Sequence, residues 1–309
     1  MKHPTDLEPN NLKFSDEQKE SFNKYVASTR IRAARNIRGQ PLPPGATRES
    51  AAAVEATLKT TFEGLEGDLK GTYYPLTGMD DATRDDLLSQ GFLFQKPKTT
   101  NLLTNAGAAR FWPESRGIFH NENKTALAWC NEEDHCRIIS MAMGGDVKDV
   151  FARFCSLSEA VKSAAEGSGA ALMWNETHGF LGSCPSNIGT GLRGSVMIKL
   201  EKLNENVPLL EEICESFDLQ PRGSAGEHSA AVGAKWDVSN KQVRSGKERS
   251  DELRWSVHMT PTTIADTSVR NFAAADFSAV SNAINETPFA TRFARYSVLA
   301  SPRCSSCRR

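Results

Sequence analysis

The feature that most limits how this chain can fold is a run of three carboxylates set between two apolar stretches. Glu132, Glu133 and Asp134 repel one another and belong in a turn. Ala126, Leu127, Ala128 and Trp129 lead into that run, and Ile138, Ile139 and Met141 lead away from it. With their bounding turn residues, Lys124–Asn131 and Cys136–Met143 are predicted strands, so the acidic turn is carried on two buried elements and held in place. A solvated turn is the plainer alternative for such a run. Arg193–Leu200 reads as a further strand. Ala51, Val54, Leu58, Phe62 and Leu65 recur at helical spacing and predict an amphipathic helix over Arg48–Leu65, ended by Gly64 and Gly67. Val147–Ala165 is a second predicted helix. Short strands interleaved with long helices, without a regular βαβ rhythm, predict an α+β fold with helices packed on a mostly antiparallel sheet.

Residues 1–24 are polar and form a lead-in, with a short helix starting from Ser15 as N-cap. Residues 25–243 form one domain without internal repeats. Residues 244–309 are rich in Ser, Thr, Ala and Arg, weakly periodic, and expected to be poorly ordered. The balance of 37 basic and 38 acidic residues offers no global field for a nucleic acid or an anionic membrane. No apolar run of about 18 residues is present to span a bilayer. Met1 to Phe14 lacks the apolar stretch of a secretory signal, so a cytosolic protein is expected. Seven scattered cysteines, Cys130, Cys136, Cys155, Cys184, Cys214, Cys304 and Cys307, read as thiols in a reducing compartment.

Three segments tie arginines to strand or turn residues. In Ser28-Thr29-Arg30-Ile31-Arg32, an extended backbone would send Arg30 and Arg32 to one face, where two guanidinium forks would grip neighbouring phosphate oxygens. A solvated basic stretch is the alternative, because Arg35 and Arg38 continue the charge at helical or loop spacing. The second segment is the acidic turn followed by Arg137. The third, Cys184-Pro185-Ser186 through Gly189, Gly191 and Arg193, has glycines that let a backbone approach a ligand closely and a cysteine that neighbouring donors would hold as a thiolate. A structural cysteine beside a loop would explain it equally. There is no Gly-x-x-x-x-Gly-Lys-Ser/Thr loop, no His-Arg-Asp or Asp-Phe-Gly signature, and no histidine pairing at metal-ligand spacing. Cys304-x-x-Cys307 stands alone near the terminus.

Together these segments resemble the creatine kinase and arginine kinase family of phosphagen (guanidino) kinases. The resemblance rests on Ser28–Gly39 (STRIRAARNIRG), Gly117–Lys124 (GIFHNENK), Asn131–Met141 (NEEDHCRIISM), Cys184–Leu200 (CPSNIGTGLRGSVMIKL), Arg222–Val232 (RGSAGEHSAAV) and Asp237–Asn240 (DVSN), in that order over roughly residues 3–241. It implies the glutamine-synthetase-like catalytic domain of guanidino kinases, over residues 25–243. It implies reversible phosphoryl transfer between ATP or ADP with Mg²⁺ and a small guanidino substrate such as creatine, arginine or taurocyamine. Arg30, Arg32, Arg137, Arg193 and Arg222 would converge on the phosphates, as transfer by charge neutralisation and alignment requires. Ser28, Thr29 and Ile31, the stretch Gly223-Ser224-Ala225-Gly226-Glu227, and Asp237 would complete the nucleotide site. Glu133 would bind the guanidinium and accept its proton, with Cys184 beside it as a thiolate and Glu227 as a second carboxylate. Mg²⁺ would be held by phosphate oxygens and water rather than by a cage of side chains.

The composition and the missing apolar run lead to the expectation of a cytoplasmic protein that engages neither nucleic acid nor membrane, with a homodimer as one possible assembly. Cys184-Pro185-Ser186 and Gly191-Leu192 look like creatine kinase, whereas Glu227 favours an unmethylated guanidine, because a carboxylate against an N-methyl group is unfavourable. Gly91 and Met197 stand where the family has histidines near the nucleotide. The family's small N-terminal helical domain is not expected here. The chain after Asn240 departs from the family's closing turn and helix, which reads as a divergent or misread end of the coding sequence. A non-catalytic homologue that binds nucleotide or scaffolds a partner is the competing expectation.

Overall fold

The computed structural model describes residues 16–100, 102–216, 219–223 and 231–241. The expectations for residues 1–15 and for the tail, and those for Ser224, Ala225, Gly226 and Glu227, lie outside the described residues.

In chain order the elements are α1 (Asp16–Tyr25), β1 (Val26–Arg35), α2 (Arg48–Glu63), β2 (Gly71–Pro75), α3 (Asp81–Ser89), α4 (Leu102–Asn105), β3 (Gly117–Asn121), β4 (Ala126–Cys130), β5 (Cys136–Met143) and α5 (Val147–Gly167). They continue with β6 (Trp174–Asn175), β7 (Gly179–Phe180), β8 (Arg193–Lys199), α6 (Glu201–Asn204), α7 (Val207–Ser216), β9 (Leu219–Gly223) and β10 (Lys235–Asn240). Eight strands form one sheet in the order β2-β3-β4-β5-β1-β8-β10-β9, and every pairing in it is antiparallel. β6 and β7 make a separate small ribbon. The fold is the α+β arrangement that the pattern of strands and helices predicts. β1, early in the chain, occupies the middle of the sheet between β5 and β8.

The two long helices follow from their sequences. Thr47 caps α2: its hydroxyl accepts the Ser50 amide at 3.2 Å, and Ser50 Oγ accepts the Thr47 amide at 2.9 Å. Val54, Leu58 and Phe62 then fall four residues apart on one buried stripe. Asp146 caps α5, whose inward stripe runs from Val147 through Phe151, Phe154 and Leu157 to Ala165. These stripes pack with Ile31, Ala33, Ala126, Ala128, Ile138, Val196, Ile198, Trp236 and Val238 in the main core. Each fully buried Leu, Ile, Val or Phe there contributes about 1.5–3 kcal/mol through removal of apolar area from water.

The other face of the sheet is divided. At the β2–β5 end Leu87, Phe92, Leu93 and Phe94 cover Ile118, Leu127 and Ile139 in a second, smaller core. Over β1, β8, β9 and β10 that face instead carries the polar and charged side chains of the site described below. None of the helices among the described residues is long and apolar enough to cross a membrane.

Phe154 is fully buried in the main core. Phe154→Ala is expected to lower the unfolding free energy by about 3–5 kcal/mol in a urea titration, through lost burial and the cavity left behind. A loss below about 1 kcal/mol would mean that α5 is not what closes this core.

Candidate active site

Strand alternation sets the site. Along β1, Ile31 and Ala33 enter the core, so Arg30 and Arg32 emerge on the opposite face. Pairing extends that face sideways. Arg32 lies opposite Arg193 on β8 and Ile139 on β5, Arg30 opposite Ser195 and Met141, and Ser28 opposite Met197 and Met143. On β10, Asp237 lies opposite Met197, and Arg222 of β9 lies opposite Asp237. Arg137 sits two residues before Ile139 and opposite Trp129 of β4. Five arginines from four strands thus share one face of the sheet, and all five line a single open cavity of about 690 Å³.

Cations on neighbouring strands repel, and their own acidities record the cost. Burial first, then Arg137, Arg30, Arg193 and Arg222 in turn, lowers Arg32 to about 9. Arg30 is lowered in the same way by burial and by Arg137, with Asp237 partly offsetting. Arg30 Nε is buried without a hydrogen-bond partner. Some charge is compensated within the protein. The Trp129 ring lies 5.8 Å from the Arg30 guanidinium and 5.5 Å from that of Arg137, and the indole N–H donates to Phe92 O at 2.7 Å, which fixes the ring. Arg137 pairs with Glu133 at 2.6 Å and Glu132 at 3.2 Å. Arg222 donates to Gln220 Oε1 at 2.9 Å.

The acidic turn brings Glu133 into the lining of the cavity. Asn131 opens it in the left-handed region, at φ 52°, and its amide donates to Ala51 O at 3.0 Å and Ser115 O at 2.8 Å. Asn131 N–H closes the turn onto His135 O at 2.9 Å. Glu133 lines the cavity and its carboxyl is raised above the ordinary range: burial dominates, Glu132 and Asp134 add to it, and Arg137 opposes it.

Cys184, Ser186, Asn187 and Gly191 line the same cavity. Cys184 Sγ and Ser186 Oγ share a hydrogen bond at 2.9 Å. Gly191 holds φ 64° against Arg35, whose buried guanidinium donates to Ala34 O at 2.7 Å and Thr190 O at 3.1 Å and lies 3.8 Å from the Phe180 ring centre. Arg35 is therefore no continuation of an exposed basic stretch. It faces the core side of β1 and pins the glycine-bearing loop.

The structure brings together Ser28, Arg30, Arg32, Glu133, Arg137, Cys184, Arg193, Arg222, Gly223 and Asp237. Thr29 borders the cavity, but its side chain is fully buried and donates to Gly144 O at 2.9 Å. Ile31 is packed in the core, so a ligand in the cavity would meet no more than its backbone. Met141, Ser195 and Asn187 also line the cavity, and the motifs did not single them out. For Ser195 the signal was present, since it follows Arg193 at the strand period of two. Among the described residues no group of three or more His, Cys, Asp or Glu is placed to hold a metal ion.

Residues 53–254 match the family model described as ATP:guanido phosphotransferase, C-terminal catalytic domain. The chain is 47% identical to creatine kinase M-type from Gallus gallus over 239 residues, which are 77% of this chain and 61% of that protein. It is 46% identical to the Rattus norvegicus creatine kinase M-type over 253 residues, 82% of this chain and 65% of that one. The chain thus spans less than two thirds of the length of these curated relatives. A crystal structure of lombricine kinase superposes with a TM-score of 0.73 at 39% identity, covering 90% of this chain and 73% of that one. The substrate-free duplicated taurocyamine kinase from Schistosoma mansoni superposes with a TM-score of 0.71 at 34% identity, over 87% of this chain and 35% of that one. A family model matched over residues 53–254, with close sequence identity to creatine kinases and a fold shared with solved guanidino kinases, establishes that the chain belongs to the ATP:guanido phosphotransferase family.

Proposed function

We propose that this chain catalyses reversible phosphoryl transfer between MgATP and a small guanidino acceptor. The observation that carries the reading is the convergence of Arg30, Arg32, Arg137, Arg193 and Arg222 on one cavity that Glu133 and Cys184 also line. Five guanidinium groups on one face call for a polyanion. A triphosphate laid along them would relieve the repulsion that burdens Arg32 and give the buried Arg30 Nε an acceptor. Mg²⁺ would sit on phosphate oxygens and water, where it neutralises part of the polyphosphate charge.

A carboxylate in the lining suits a cation that must lose a proton. A guanidino nitrogen attacks the γ-phosphorus, the bond from that phosphorus to the bridging oxygen of ADP breaks, and the nitrogen's proton passes to Glu133. Because burial raises the proton affinity of Glu133, it is a better acceptor than an exposed carboxylate. Cys184 would orient the guanidine without forming a covalent bond. Asp237 and Gly223 would complete the nucleotide end of the cavity, and Glu227 would act as a second carboxylate on the acceptor. The acceptor is assigned by class alone. Relatives are named for creatine, lombricine and taurocyamine, and assays with creatine, arginine, taurocyamine and glycocyamine would rank them.

Glu133→Gln is expected to abolish ADP formation in a coupled assay with every acceptor while MgATP still binds. Turnover surviving that change would remove Glu133 from its role, and nucleotide binding without turnover by the unaltered protein would favour a non-catalytic homologue. The acid limb of the rate profile should titrate above the ordinary carboxylate range. The sign for stability is opposite. A carboxyl whose folded pKa is raised binds protons more tightly in the folded state, so its contribution is present at low pH and lost as pH rises through the folded pKa. Glu133→Gln should therefore melt no lower than the wild type near neutral pH.

The arginine cluster predicts a parallel effect. Arg32 carries its electrostatic cost at all pH values below about 9. Arg32→Leu is expected to raise the melting temperature at pH 7 and to reduce the further rise that inorganic tripolyphosphate gives the wild type. A lower melting temperature with an undiminished response to tripolyphosphate would show that this arginine does not face the anion.

A further inference from the structure

The acidic turn and the cysteine loop come from distant parts of the chain, yet one amide side chain ties them together. Asn36 follows β1 directly and is 1% exposed. Its Nδ2 donates to Asp134 Oδ1 at 2.8 Å and to Leu181 O at 3.0 Å, and its Oδ1 accepts the His135 amide at 2.8 Å. Its own carbonyl accepts the Met173 amide at 2.6 Å. Asp134 Oδ1 also accepts the amide of Ser183, at 2.8 Å, and Ser183 immediately precedes Cys184. His135 is fixed in turn. Its Nδ1 accepts the Ile37 amide at 3.0 Å, which leaves Nε2–H to donate to Pro41 O at 2.9 Å.

The network is an unusual use of a carboxylate. Glu132 and Glu133 reach Arg137, whereas Asp134 turns inward, is 1% exposed and is hydrogen-bonded only to neutral groups among the described residues. Its Oδ2 has no hydrogen-bond partner. The loop also crowds this carboxylate: a Cβ on Gly182 would stand 3.2 Å from Oδ1. Replacing buried polar groups by apolar groups of matching shape is often neutral or stabilising, so stability alone does not account for such an arrangement. What it supplies is a fixed separation. One residue before Asp134 is Glu133, and one residue after Ser183 is Cys184.

We propose that Asn36 and Asp134 are positioning residues that lock the acidic turn to the cysteine loop, so that the Glu133 carboxylate and the Cys184 sulfur flank one planar guanidine. This rests on the transfer reading above, but its central claim concerns the junction of two loops and can be read without turnover.

The test uses the full chain with Asn36→Asp, Asp134→Leu and Asp134→Asn. Asn36→Asp keeps the shape and sets a second carboxylate against Asp134. Asp134→Leu removes the acceptor at similar size without creating a charge clash, and it holds the test open if the first variant does not fold. Asp134→Asn is the conservative control, since its Oδ1 can still accept from Asn36 and from the Ser183 amide. Iodoacetamide labelling, mapped by mass spectrometry, gives the rate at Cys184, with the buried Cys130 and Cys136 as internal reporters of general loosening. Asn36→Asp and Asp134→Leu are each expected to speed Cys184 labelling about threefold or more without exposing the two buried thiols, and to cut kcat about tenfold with the MgATP KM within about twofold. Asp134→Asn should stay close to the wild type in both. Unchanged Cys184 labelling in folded Asn36→Asp or Asp134→Leu overturns the proposal, as does Asp134→Asn labelled as fast as either of them. If no acceptor is turned over at all, the labelling arm still decides, and the loss then falls on the transfer reading alone.

Discussion

The site depends on the register of β1 against its two neighbours. Because side chains alternate, a slip of one residue would drive Arg30 and Arg32 into the main core and put Ile31 and Ala33 on the cavity face. The apolar side of the strand holds that register. Two unit charges about 5 Å apart at an effective dielectric constant of about 20 repel by about 3 kcal/mol. A single buried Leu or Phe contributes about 1.5–3 kcal/mol, and α2, α5 and the strands beneath them supply many. Burial on one face outweighs repulsion on the other, and an arginine-lined cavity persists on a stable sheet.

The acidic turn and its flanking strands were legible because their chemistry is local: apolar residues on either side of three carboxylates leave little choice but strand, turn and strand. The helices were legible for the same reason, their stripes falling at helical spacing. β1 was legible only as one of two readings. Arg30, Arg32, Arg35 and Arg38 fit an extended segment with Arg30 and Arg32 on one face but also a solvated basic stretch, and the placement that decides the matter, β1 between β5 and β8, is set by partners more than a hundred residues away. Once the strand is central, Arg35 falls on the core face and Arg30 and Arg32 on the other. Arg222 and Asp237 were found through family resemblance, since neither stands in a pattern that spacing alone would mark. Asn36 gave no signal, because a single asparagine after a strand looks like any turn residue until its four hydrogen bonds are seen.

The cysteines divide along physical lines. Burial pushes Cys136, Cys155 and Cys214 up to about 12 and Cys130 upward as well, which holds these thiols protonated and inert. Cys184 alone among the free cysteines of the described residues lines the arginine cavity, with a hydroxyl against its sulfur. The contrast comes from placement, since the same residue type occupies strands, helices and loop.

The pairing of Glu133 with Arg137 looks at first like an obstacle, because a carboxylate already in an ion pair is not free to take a guanidine. The turn answers this by presenting two carboxylates to one cation. Arg137 holds Glu132 through one nitrogen and Glu133 through another, so under the proposed reaction it would surrender Glu133 to an incoming guanidinium and still keep a charged partner. Removing one member of a buried pair is costly mainly because the other is stranded, and here nothing would be stranded. In the proposed reaction Asp134, facing inward and held by Asn36 and Ser183, would keep the turn from following when the exchange occurs.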